Sequence, residues 1–177
     1  MWSPLEIIPL GWPRGITFTL LLIGTLLIGS RTNVELKGHR IVKLELAGTS
    51  ARAARIIDTW KANGSYGNAI LLQWWDDYFL IFYSLTFSLA CVMVATLFHN
   101  FMHELGSLLA WLAIGAGVLD FIENRAINQM LAGHLEHWPQ LSFSCATLKF
   151  VILFVCLIFL SAGTITHLLF LGYAKLK

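Results

Sequence analysis

Charge is scarce in this chain. Lysine and arginine number 12 and aspartate and glutamate 10 in 177 residues, so only 12% are charged. That is about half the usual share for a soluble domain. A large water-soluble core is therefore excluded as the main architecture. The net charge of +2 is too small to argue for nucleic acid, and no basic patch interleaved with aromatics is present. Cysteine is equally sparse. Cys91, Cys145 and Cys156 lie inside apolar runs, form no C-x-x-C pair and show no zinc spacing, so they read as small buried hydrophobes. Nucleophile-elbow, phosphate-loop, dinucleotide and H-E-x-x-H patterns are all missing, and no internal repeat is visible.

What the chain does have is hydrophobic length. It is 57% hydrophobic, with a mean hydropathy of +0.71. Four apolar stretches stand out, about 14–31, 70–99, 105–127 and 142–171. A bilayer core of roughly 30 Å needs about 20 helical residues. The expected fold is an all-α integral membrane protein: one domain, residues 1–177, built as an antiparallel four-helix bundle. In the first stretch, Arg14 precedes the apolar run 16–30 with no clean cleavage site after it, which reads as a signal anchor and first span. Trp2, Trp12 and the prolines at 4, 9 and 13 suit an interfacial lead-in. Short loops at 100–104 and 132–140 make the later three spans antiparallel neighbours.

A polar segment, 32–69, separates the first two spans. VELKGHRIVKLEL (34–46) alternates, with Val34, Leu36, Val42, Leu44 and Leu46 to one side and Glu35, Lys37, Lys43 and Glu45 to the other. This predicts a short β-hairpin around Gly38. Thr49 or Ser50 then caps an amphipathic helix, whose Ala53, Ile56, Ile57 and Trp60 recur at i, i+3, i+4, i+7. The segment is expected to cap the bundle or rest on the lipid surface; a lid or docking surface is the alternative.

The third span carries Gly106, Ala110, Ala113, Gly117, Asp120 and Asn124 on one face. Small residues at that spacing let helix backbones approach closely in lipid, so Asp120 and Asn124 belong to a packing seam. On similar grounds, Gln73, Asp77, Ser84, Ser88, Ala95 and His99 share a face of the second span, Cys145, Lys149, Ile152, Cys156, Gly163 and His167 one of the fourth, and Thr17, Gly24 and Arg31 repeat every seven in the first. The up-and-down topology delivers Arg31, Asp76, Asp77, Asp120, Glu123, Asn124 and Lys149 to one layer, on the membrane face that carries the polar segment. Intramembrane charge is costly unless paired or hydrated. Three readings follow: charges snorkelling at a membrane boundary, a paired structural clamp, or a functional site.

His99, His103, Glu104 and His167 approach the opposite face and are the candidates for a metal or haem site. Interfacial histidines are far commoner than ligands, so no cofactor is expected. Both termini should lie on the same side. Which side is cytoplasmic stays open, because seven Lys and Arg between 31 and 61 compete with Arg14, Lys175 and Lys177.

LELAGTSARAARIIDTW (44–60), WWDDYFLIFYSL (74–85), GVLDFIEN (117–124) and LKF (148–150) resemble a set of small bacterial four-span membrane proteins that carry no known activity. Their shared features are an E-L-A-G-T loop entering a helix, an Asp–aromatic start to the second span, L-D-x-x-E-N ending the third and a Lys early in the fourth. The resemblance covers about residues 44–160. It implies the four-helix fold, a recurring charged layer and a bacterial inner membrane, but no catalytic residue.

The functional expectation is a binding or interaction module. Membrane lipid and other membrane subunits, or a second copy, would be its partners: an accessory subunit, or a bundle that holds a lipid headgroup, ion or polar ligand. The rival is an intramembrane enzyme or proton-coupled carrier using Asp120 or Asp77. A water-filled cavity reaching Asp120 would favour the rival over a dry clamp.

Overall fold

The computed structural model describes residues 2–32, 36–99 and 101–174, the side chains of 171–174 excepted. The elements are α1 (Trp12–Thr32), α2 (Ile41–Glu45), α3 (Ser50–Ala62), α4 (Tyr66–Ala95), α5 (Phe101–Leu131) and α6 (Trp138–Ala174). Helices α1, α4, α5 and α6 are long and apolar enough to cross a membrane.

Direction follows from which residues meet. Ala95 faces Gly106, Ser84 faces Gly117, and Asn124 donates to Asp77, so α4 and α5 run antiparallel in one continuous register. Phe159 meets Gly106, and Lys149 meets Asp120, so α6 is antiparallel to α5. Thr25 and Thr86 hydrogen-bond at 2.9 Å and Phe79 covers Gly29, which places α1 antiparallel to α4. The seam on α5 packs as its spacing predicts: Gly106, Ala110, Ala113, Gly117, Asp120 and Asn124 are all buried. A Cβ on Gly106 would stand 2.6 Å from the Ala95 methyl, and one on Gly117 2.8 Å from Ser84. Helix α1 is the outlier. It packs on α4 but makes no extensive contact with α6, and Arg14 is its single buried residue.

At about 1.5 Å per residue, α4, α5 and α6 are each some 45–55 Å long, well beyond a hydrocarbon core of about 30 Å. Their projecting ends give the polar segment something to pack on. Leu44, Ala53, Ile57 and Trp60 of the cap are buried against Ala69, Leu72, Ile127 and Met130. Burying a side chain the size of Leu44 or Ile57 contributes about 1.5–3 kcal/mol. The Trp60 indole donates to the His39 carbonyl at 2.9 Å, and Tyr66 OH to the Leu131 carbonyl at 2.5 Å. Ser50 donates to the Leu135 carbonyl, tying the start of α3 to the α5–α6 loop. The α3 expectation holds: Thr49 is the N-cap, accepting from the Arg52 N–H, and Ala53, Ile56, Ile57 and Trp60 are buried.

The hairpin expectation is overturned. Val34 and Glu35 lie outside the described residues, and no strand occurs among those described; Ile41–Glu45 is helical. Alternation would put Val42, Leu44 and Leu46 on one face, yet Leu44 is fully buried while Val42 and Leu46 are exposed. The inward face is instead Ile41, Leu44 and Glu45, at i, i+3, i+4. A two-stranded hairpin has only one face to bury and is marginal alone, whereas one helical turn anchors two positions in the cap core. The consequence is chemical: the turn that buries Leu44 also buries Glu45.

Candidate functional site

The buried charges meet where the cap sits on the bundle. Lys149 reaches from α6 to α5, with its Nζ 2.6 Å from Asp120 Oδ1 and 2.8 Å from Glu123 Oε2. All three side chains are at least nine-tenths buried. The Asp120 contact is a hydrogen bond. The Glu123 contact is close but off the hydrogen-bonding direction, and neither buried Glu123 oxygen accepts a hydrogen bond among the described residues. Glu45 of α2 presses on Glu123 from the cap side. Burial pushes the Glu45 carboxyl above the usual carboxylate range; Lys149 opposes that push, and Asp120 adds to it. The Glu45 carbonyl accepts from Ser142 Oγ at 3.2 Å, which holds α2 on the start of α6.

On the other side of the cluster the layer is open. A cavity of about 680 Å³ lies between α1, α4 and α6 under the cap. That is within the range of small-molecule sites, about 300–1,000 Å³. It exists because α1 leans on α4 alone and leaves a gap toward α6. Glu45, Asp76, Asp120 and Lys149 line it at the level of the cluster. Lys37 and Arg40 stand at its cap end, and Phe79, Phe87, Phe150 and Leu153 wall the part that runs along α4 and α6. Tyr83 joins that wall, its hydroxyl donating to the Ala116 carbonyl at 3.3 Å.

The chain matches no protein-family model, and no curated protein or solved structure matches it. The chemistry must therefore be read from the residues alone. Of the residues the sequence singled out, Asp120, Glu123, Asn124 and Lys149 come together in the buried cluster, and Asp76 joins them from the cavity side. Asp77 turns the other way: it accepts from Asn124 Nδ2 at 3.2 Å and pairs with Arg125 on the outer surface. Arg31 reaches the same depth, its guanidinium 5.9 Å from the Trp75 ring centroid, but its side chain is exposed and not part of the buried cluster. His99, His103, Glu104 and His167 form no metal-binding group, and no such group of three or more occurs among the described residues.

Sequence reasoning missed Glu45, Tyr83, Lys37 and Arg40. Glu45 had a signal in its spacing from Ile41 and Leu44, hidden because the alternating pattern suggested a strand. Tyr83 sits seven residues after Asp76, the same face of α4 two turns deeper. Lys37 and Arg40 carry no such signal, because only the folding of the cap brings them over the cavity.

Proposed function

We propose that the protein is a membrane-embedded binding module that holds an amphiphile, polar end in the charged layer and apolar chain along α4 and α6. The observation that carries this reading is one cavity with two characters: ionisable groups at the cap end and aromatic and aliphatic walls running along α4 and α6. A purely structural clamp would leave no such space beside its ion pairs. A soluble polar ligand would have no use for Phe87 and Leu153. The gap between α1 and α6 supplies a lateral way in from lipid. The resemblance to small bacterial four-span proteins fits the same reading and suggests the bacterial inner membrane as its location, with the termini on one side and the cap on the other.

Native mass spectrometry after gentle extraction tests the proposal. The expected result is a retained lipid-sized mass that disappears in Leu153→Trp, which fills the cavity wall. Loss-free retention in that variant, or no retained mass in the wild-type chain, counts against it. The same spectra give the oligomeric state and any co-extracted subunit, and so bear on an accessory-subunit role.

A second reading, acid/base chemistry or proton transfer at this site, has one observation in its favour. Asp120 lies on the cavity wall while bonded to Lys149, which places a proton donor beside an acceptor where a ligand would sit. Incubating the purified chain with its retained amphiphile separates the two: an unchanged ligand mass favours binding, and a changed one favours chemistry.

A further inference from the structure

Three acidic and three basic side chains line the cavity, but Lys37 and Arg40 are exposed at its cap end, so the buried layer itself carries more acids than bases. Among the buried groups of the layer, Glu45, Asp120 and Glu123 are acidic and Lys149 alone is basic. Asp76, half-buried, adds a fourth carboxyl on the cavity side. Lys149 is already committed to Asp120 and Glu123. Asp76 and Glu45 have no salt-bridge partner among the described residues, and both line the cavity. Glu45 is 94% shielded from solvent (6% exposed), no Lys or Arg pairs with its side chain among the described residues, and the ionisable group against it is another carboxyl, Glu123. Glu123 can donate to Glu45 only while it is itself protonated, whereas a cation entering from the cavity would satisfy Glu45 as a carboxylate.

We propose that the ligand's polar end is a protonated primary amine carried on a single long chain, seated between Asp76 and Glu45. This rests on the amphiphile-binding reading and names the chemical class of its ligand. An ammonium offers three donors to carboxyls that approach from different helices. The carboxyls are spread along the wall, and no group of three acidic, histidine or cysteine side chains converges as a metal site would require. The basic residues of the cavity divide the same way. Lys149 is bound to Asp120 and Glu123, so a ligand anion there would have to displace a carboxylate from it. Lys37 and Arg40 are exposed at the cap end, out of the layer. Depth fits a chain as well. Phe87 lies about 16 Å farther along α4 than Asp76, and Leu153 is one turn deeper than Lys149, so apolar wall continues directly below the acidic groups.

Titration calorimetry on the full chain in maltoside micelles tests this, with dodecylamine, dodecanol, dodecyl phosphate and butylamine as probes. Dodecylamine is expected to bind at least about tenfold more tightly than dodecanol or dodecyl phosphate. Asp76→Asn and Glu45→Gln should each shrink that preference while leaving dodecanol binding in place. Tighter binding of dodecanol or dodecyl phosphate would overturn the amine assignment and leave the amphiphile reading standing. Butylamine binding as well as dodecylamine would overturn the long-chain part. No heat from any of the twelve-carbon probes would remove the amphiphile reading itself.

Discussion

Two halves of the same charged layer behave differently. The α5–α6 half is closed: Lys149, Asp120 and Glu123 are buried in mutual contact behind a seam of small residues. The α1–α4 half is open: Asp76 faces a cavity, and the helix that should cover it stands on α4 alone. The difference traces to the seams. On α5, six small or polar positions recur without interruption, so α4 and α6 can both approach closely. On α1 close approach is confined to Gly24 under Phe82 and Gly29 under Phe79, both toward α4. Nothing on α1 prepares a second contact with α6. In lipid, where apolar side chains gain nothing by leaving the solvent, a helix whose close approaches all face one neighbour has little reason to close a gap to another.

The largest effect should come from breaking the closed half. Lys149→Met removes the cation while leaving Asp120 and Glu123 buried, a change that costs roughly 3–5 kcal/mol when a buried ion pair loses one partner. Thermal unfolding in detergent should show a large drop in Tm. A companion Asp120→Asn should cost less, since Lys149 keeps Glu123 at 2.8 Å. Equal and small effects of both would mean that the cluster is hydrated from the cavity and does not act as a clamp.

Next in size is the seam. Gly117→Ala puts a methyl 2.8 Å from Ser84, where something must shift. Overpacking of this kind costs about 1–3 kcal/mol. Gly115→Ala, two residues away and with nothing within 4 Å of the added carbon, should leave Tm unchanged or slightly raised. A matched loss at both positions would show that α5 is sensitive to helix geometry in general, not to the close approach of α4.

A third effect is readable in pH. Because burial holds the folded Glu45 carboxyl above its ordinary value of 4.5, the folded state takes up its proton more readily than the unfolded one. Its contribution therefore favours folding at low pH and turns unfavourable as pH rises from the ordinary carboxylate range through the raised value. Glu45→Gln should raise Tm at neutral pH, and its advantage should shrink toward pH 4. An advantage that is constant with pH would mean that Glu45 does not titrate with folding.

The smallest changes belong to exposed or single contacts. Arg125→Ala breaks the surface pair with Asp77, whose side chains are 48% and 33% exposed; such pairs are worth about 0–1 kcal/mol. Thr25→Val removes the one hydrogen bond between α1 and α4 side chains seen in this region, and interhelical bonds in membranes average about 0.6 kcal/mol. Its more telling readout is ligand retention. If α1 forms the movable wall of the cavity, Thr25→Val should alter amphiphile exchange more than it alters Tm.

Much of this molecule could be read from local pattern. Hydrophobic length placed the four long helices, although α5 and α6 each run several residues past the expected ends. The spacing of Gly106, Ala110, Ala113, Gly117, Asp120 and Asn124 located the seam and put Asp120 on it. The i, i+3, i+4 recurrence placed α3 with its buried face correct. Patterns of this kind are legible because they repeat with the helix's own period. Residues 34–46 failed the same method, since a five-residue helix is too short to overrule an accidental alternation.

Other features depend on which helix stands beside which, and no local period records that. The inward turn of Glu45, the separate destinations of Asp76 and Asp77, and the exposure of Arg31 were settled by packing. So was the cavity, which is made by the place where α1 does not go. Charge in the membrane announces itself in a sequence because it is rare and costly. Whether it is covered or left open is a matter of neighbours, and the neighbours meet only when the chain has folded.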